Sequence, residues 1–145
     1  MQIQALSRIE MIDLKERELD LLDKAKVISI CCSEDINVFD IEHPNLLSLR
    51  FDDIEKFVPS HPHLVIFNEE MAEMTVQFLR KCQPKDLLLV NCHAGVSRSG
   101  AFISVAMEMF IEGIDAEHFF RVNYRIVPNV LVMRLLRQAA FGVTY

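Results

Sequence analysis

Apolar positions are distributed along this chain in two ways: short unbroken runs, and longer stretches in which they recur every three or four residues. The first pattern fits strands buried on both faces, and the second fits helices with one apolar side. Val27-Ile28-Ser29-Ile30 is a β-branched run and reads as a buried strand. Leu46-Leu47-Ser48-Leu49-Arg50-Phe51 reads as a second strand, and Leu87-Leu88-Leu89-Val90 as a central one. Helical spacing carries Met71, Met74, Phe78 and Leu79 through residues 69–81. A long apolar helix is predicted over 98–111, stopping near Gly113, with two more over 115–123 and 129–141. Pro128 stands near the start of the last, where a missing N–H costs little. At the other end, Ser7-Arg8-Ile9-Glu10 has the form of a capping box, so the first helix begins there and runs toward Lys24. Residues 51–62 form a loop broken by Pro59 and Pro62, and Gln83-Pro84-Lys85-Asp86 a turn.

Strands alternate with helices throughout. That order predicts an α/β fold with a mostly parallel central sheet flanked by helices. The length of 145 residues fits one domain over 1–145, and a hydrophobic fraction of 51% drives folding without disulfide or metal staples. No run approaches the roughly 18 apolar residues of a membrane span. The first residues lack the basic and apolar regions of a secretory signal, so a reducing, cytoplasmic location is the default. Acidic residues outnumber basic ones by 21 to 15, a net charge of −6, which argues against nucleic-acid binding. Cys31, Cys32, Cys82 and Cys92 match no common zinc spacing, and disulfides are unexpected in such a location. His61 and His63 lack identifiable further metal ligands.

Ligands of parallel sheets bind beyond the carboxyl ends of the strands. The chain just after Val90 reads Asn91-Cys92-His93-Ala94-Gly95-Val96-Ser97-Arg98-Ser99-Gly100. A cysteine leaves a buried strand, a short loop of His93, Ala94, Gly95, Val96 and Ser97 follows, and Arg98 opens a helix. Gly95 and its small neighbours let the backbone N–H groups turn inward as an anion nest. The helix start adds its free N–H groups and dipole, and Arg98 a planar fork for two oxygens of one phosphate. Thiols at such positions ionise readily, which makes Cys92 a nucleophile facing the bound anion. Ser99 is placed to donate a hydrogen bond to the sulfur as it later departs.

Cys92 to Ser99 fits the C-x5-R-[ST] signature, and the string resembles the cysteine-dependent protein tyrosine phosphatase superfamily, most of all its dual-specificity branch and small microbial relatives. The resemblance covers about residues 27–140, although only the loop is highly specific. It implies a protein tyrosine phosphatase-like fold and hydrolysis of phosphate monoesters through a phosphocysteine, with no metal or organic cofactor. One residue departs from the pattern. The family usually has histidine before the nucleophile, and this chain has Asn91, which retains hydrogen-bonding groups but brings no charge to keep the thiol ionised.

The resemblance also implies an aspartate general acid on a movable loop upstream of the nucleophile. Asp52 and Asp53 in Phe51-Asp52-Asp53-Ile54 are the candidates; the string resembles the Phe-x-Asp-Ile segment of the small relatives, which favours Asp53 and leaves Asp52 as the alternative. Residues 59–63 account for the long spacing to Cys92 as an added loop. Some superfamily members protect an oxidised nucleophile with a cysteine placed as Cys31 or Cys32 is here. Pro128-Asn129 resembles a pair found in the small relatives but reads most simply as a helix start. The loop interior has no lysine or second arginine, which favours a phosphoprotein substrate, phosphotyrosine first, over phosphoinositide or RNA. Two other readings remain open: a non-catalytic module binding phosphorylated partners, and a thiolate-based sulfurtransferase or arsenate reductase.

Overall fold

The computed structural model describes residues 1–142. Among them, four strands form one parallel sheet: β1 (Gln2–Leu6), β2 (Lys26–Cys31), β3 (Leu46–Arg50) and β4 (Leu87–Asn91), in spatial order β1-β4-β2-β3. Helices α1 (Arg8–Arg17) and α2 (Leu19–Lys24) join β1 to β2, α3 (Glu69–Arg80) precedes β4, and α4 (Arg98–Met109), α5 (Ala116–Val122) and α6 (Val130–Phe141) follow it, with a 3₁₀ turn at Ile111–Gly113.

Side chains alternate across the sheet and build a core on each face. On one face Ile3, Ile28, Ile30, Leu88 and Val90 pack with residues of α3, α4 and α6, around the rings of Phe51, Phe67 and Phe102. Their centroids lie 4.7 Å apart for Phe51–Phe67 and 5.7 Å for Phe67–Phe102. On the other face Val27 and Leu89 meet Met11, Leu22 and Ala25 of the α1–α2 region. β4 is therefore covered on both sides, as its unbroken apolar run requires. The helices α1, α3 and α6 each start on a side-chain cap, whereas α4 does not. Ser7 and Glu10 exchange the two bonds of a capping box, Asn68 Oδ1 accepts from Met71 N–H at 2.9 Å, and Asn129 Oδ1 from Val132 N–H at 3.1 Å.

The structure departs from the sequence pattern in two places. The single helix expected from Ser7 toward Lys24 is broken at Glu18, where φ is −133° and ψ is 51°. The break leaves Leu22 of the second piece buried in the core on that face. β1 was not anticipated, because Gln2 and Gln4 alternate with Ile3 and leave no apolar run. It is an edge strand completed by a side chain: Asn123 Oδ1 accepts from Ala5 N–H at 2.8 Å, and its Nδ2 donates to Ile3 O at 2.8 Å and to Phe119 O at 2.9 Å. The amide thus occupies the ladder position a further strand would take.

Asn123→Ala leaves those backbone groups of β1 buried and unpaired. The expected cost is about 2 kcal/mol or more, seen as a lower urea midpoint at unchanged m-value. An unaltered midpoint would show that α5 and β1 do not depend on this amide.

Candidate active site

The catalytic and phosphate-binding candidates follow β3 and β4 and lie at the carboxyl end of the sheet. β4 delivers Cys92, 2% exposed, into the core beneath the loop that leads to α4. The turn of that loop is at Gly95, whose φ is +73°. A Cβ there would stand 2.6 Å from the carbonyl carbon of Leu6 and 2.7 Å from the nitrogen of Ser7. Glycine is needed both for the left-handed backbone and for the close approach to the β1–α1 junction.

Donors from outside the loop hold its carbonyls. Arg8 N–H donates to His93 O at 3.0 Å, Val127 N–H to Val96 O at 3.1 Å, and Asn129 N–H to Ser97 O at 3.0 Å. Among the described residues, the N–H groups of residues 93–97 donate to no protein acceptor. With the carbonyls drawn outward, the N–H groups are left to the concave side, and the first turn of α4 adds its own. His93 and Ala94 are exposed at this mouth, Val96 and Ser97 half-buried, and Gly95 buried.

Arg98, 4% exposed, reaches back across the sheet end. Its Nη1 donates to Phe51 O at 2.9 Å and approaches Cys32 Sγ at 3.3 Å. Among the described residues, Nε is buried without a partner. One corner of the guanidinium is thus anchored, and the Nε–Nη2 edge is left to hold two oxygens side by side. Nest, helix terminus and open guanidinium edge together suit a tetrahedral oxyanion, with a thiol at the foot of the loop.

Asp52 and Asp53 diverge. Asp52, 6% exposed, turns inward; its Oδ1 accepts from Ser33 N–H at 3.1 Å and its Oδ2 from Val65 N–H at 2.7 Å. Burial pushes its pKa up, but these amides and the nearby Arg98 charge more than reverse that, and the carboxyl ionises below its ordinary value. Asp53 turns outward to the loop. Its Oδ1 accepts from Ser97 Oγ–H at 2.9 Å and from Asn129 Nδ2–H at 2.8 Å. Asp53, Glu55, Lys56, Ser97 and Asn129 border an open groove of ≈ 650 Å³ beside the mouth.

Among the described residues, Ser99 Oγ is buried and makes no hydrogen bond, to Cys92 or to any other group. The hydrogen bonds expected of Asn91 are likewise not made among them: its amide is fully buried and both polar atoms lack partners. Of the remaining thiols, Cys32 adjoins Arg98, whereas Cys31 Sγ lies 3.6 Å from Arg8 Nη1 and 3.7 Å from Ile36 O. Burial first, and then the Asp86 charge, push the Cys82 thiol up to about 11 despite Lys26. Among the described residues, no group of three or more His, Cys, Asp and Glu side chains is placed to hold a metal, and no helix is long and apolar enough to cross a membrane.

No protein-family model matches this sequence. No curated protein matches it by sequence either. Solved structures do match. The crystal structure of DUSP15 superposes with a TM-score of 0.53 at 16% identity, covering 97% of this chain and 83% of that one. The crystal structure of human tyrosine phosphatase-like serine/threonine/tyrosine-interacting protein gives 0.51 at 18% identity, covering 91% and 83%. The fold is that of the dual-specificity phosphatases.

Within the dual-specificity phosphatase fold, three parts of the site had little signal in the sequence. The β1–α1 junction walls the loop because Gly95 lacks a side chain, Phe51 O anchors Arg98 through its backbone, and Val65 N–H holds Asp52 from a loop with no motif. Asn129 was visible as part of Pro128-Asn129, but its second contact, to Asp53, was not.

The Asp52 geometry carries a pH dependence. Its folded-state pKa lies below the ordinary 3.8 of an unfolded carboxyl, so its contribution is complete above that value and lost as pH falls through the lower one. Asp52→Asn should cost about 1–3 kcal/mol at neutral pH by placing an amide against a backbone donor. Urea titrations of both proteins should show the gap closing below about pH 4; a gap undiminished at pH 2 would contradict the assignment.

Proposed function

We propose that this protein is a phosphatase of the dual-specificity type, hydrolysing phosphate monoesters of proteins through a phosphocysteine on Cys92. The observation that carries the reading is that Asp53 is hydrogen-bonded to the anion loop itself, through Ser97 Oγ. A carboxyl at that mouth has a task in ester hydrolysis, where an alkoxide or phenoxide must leave. Sulfur transfer or arsenate reduction has no such need, and a module that only binds phosphate gains nothing from an acidic group beside the anion. Asp53 is therefore assigned as the acid and Asp52 as the residue that holds the base of its loop.

The mechanism has two steps. The loop N–H groups of residues 93–97 and the Nε–Nη2 edge of Arg98 bind the equatorial oxygens of the ester. Cys92 thiolate attacks phosphorus in line, the P–O bond to the leaving group breaks, and Asp53 gives its proton to that oxygen. The product alcohol leaves behind a phosphocysteine. Water then attacks phosphorus as Asp53 carboxylate takes its proton; the P–S bond breaks, and Ser99 Oγ–H turns to the departing thiolate. Inorganic phosphate is released and the free thiolate returns. These steps need no metal or organic cofactor.

The charge-poor loop interior and the net charge of −6 favour phosphotyrosine in proteins over nucleic acid or anionic membrane as the source of the phosphate. Four free cysteines suit a reducing, cytoplasmic setting.

Hydrolysis of an aryl phosphate under reducing conditions tests the reading. Cys92→Ser should abolish turnover. Asp53→Asn should lower kcat by about 10²–10³-fold for a poor leaving group, and Asp52→Asn should keep most of its turnover at neutral pH once its stability loss is allowed for. An inactive wild-type protein would overturn the phosphatase assignment.

A further inference from the structure

Asn129 is 3% exposed, and both ends of its side chain are committed. Its Oδ1 accepts from Val132 N–H at 3.1 Å and caps α6. That bond fixes which way the amide points, because a backbone N–H can only face the oxygen. Nδ2 is thereby turned the other way, where it donates to Asp53 Oδ1 at 2.8 Å and lies 3.3 Å from Ile54 O. The backbone N–H of the same residue donates to Ser97 O at 3.0 Å, and Ser97 Oγ–H donates to the same Asp53 oxygen at 2.9 Å. One residue therefore ties together the start of α6, the anion loop and the aspartate loop.

We propose that Asn129, with Ser97, is a positioning residue that fixes which oxygen of Asp53 carries the catalytic proton and where that oxygen points. The proposal rests on the phosphatase reading above. Asn129 Nδ2–H can only donate, so a proton on Oδ1 would face that donor, and Ser97 Oγ–H adds a second donor to the same oxygen when the carboxyl is ionised. The acid form of Asp53 carries its proton on Oδ2, the oxygen left without a protein donor. A carboxyl rotates freely about its last torsion and has two equivalent oxygens until something distinguishes them. The Asn129–Ser97 pair supplies that distinction and holds the loop at the mouth. In the first step the Oδ2–H bond breaks as the proton passes to the leaving oxygen; in the second Oδ2 recovers a proton from water. Asn129 exchanges no proton with either.

The helix cap and the acid clamp can be separated by substitution. Serine is as good an N-cap as asparagine but is too short to reach Asp53, and aspartate caps α6 while turning a carboxylate toward a carboxylate. The readout is leaving-group dependence, which stability alone does not move. Rates are compared on phenyl phosphate, whose leaving group needs a proton, and on 2,4-dinitrophenyl phosphate, whose leaving group does not. For Asn129→Ser the ratio of kcat/KM on the first to kcat/KM on the second, which reports the leaving-group step alone, should fall by about 10- to 100-fold relative to wild type, as for a misplaced group. Asn129→Asp should fall at least as far. In an Asp53→Asn background, Asn129→Ser should have no further effect on the ratio, because the proton it positions is gone.

An Asn129→Ser protein that is folded, by an unchanged circular dichroism spectrum, and keeps the wild-type ratio would overturn the proposal while leaving the phosphatase reading intact. So would an additive loss in the double variant. A wild type that hydrolyses neither ester overturns the phosphatase reading, and the proposal with it. A wild type that is active, with Asp53→Asn retaining the full ratio, removes Asp53 as the acid and ends the proposal separately.

Discussion

A loop that turns its N–H groups toward an anion must find other donors for its carbonyls, and those donors have to come from outside the loop. In this chain they come from both flanks. Arg8 at the head of α1 takes His93 O, while Val127 and Asn129 ahead of α6 take Val96 O and Ser97 O. Much of the architecture follows from that need. β1 has to run alongside β4 so that α1 begins next to the loop, and α6 has to start where the chain after α5 passes under Ser97. The positive φ at Gly95 is the point where the constraint is tightest, because the turn is pressed against the Leu6–Ser7 backbone with no room for a methyl group.

The same end of the sheet separates two adjacent carboxyls. Asp52 and Asp53 differ by one position, and an extended chain sends successive side chains to opposite sides. Asp52 is sent inward to the amides of Ser33 and Val65 and within range of the Arg98 charge, an environment that favours its ionised form. Asp53 is sent outward, where two side-chain donors meet one of its oxygens and the other is free. Phe51, just before them, links packing to chemistry: its ring is locked against Phe67 and Phe102, and its carbonyl orients Arg98. Loosening the aromatic core would therefore be felt at the guanidinium.

Legibility in the sequence follows the range of the interactions involved. Cys92, Gly95 and Arg98 stand within one short segment, so the place of the loop between β4 and α4 and its turn at Gly95 could be read directly. The central strands could be read because burial on both faces leaves an unbroken apolar run. β1 could not, since its stability comes from Asn123, more than a hundred residues away, and not from its own pattern. The break at Glu18 is equally silent, because residues on both sides favour helix. In the sequence, resemblance alone favours Asp53 over Asp52. The structure separates the two by the direction of each side chain and by which donors meet it, neither of which is written in the order of residues.

Asn91 sharpens what fixes the loop. In the family that the sequence resembles, a histidine at this place helps to organise the loop, yet here the Asn91 amide is fully buried and makes no hydrogen bond to it. The loop is held instead by backbone N–H groups of Arg8, Val127 and Asn129 that take its carbonyls, and by the close approach to Leu6 and Ser7 that Gly95 permits. Loop geometry is thus secured by backbone bonds that accept almost any side chain, and it does not depend on what stands at position 91.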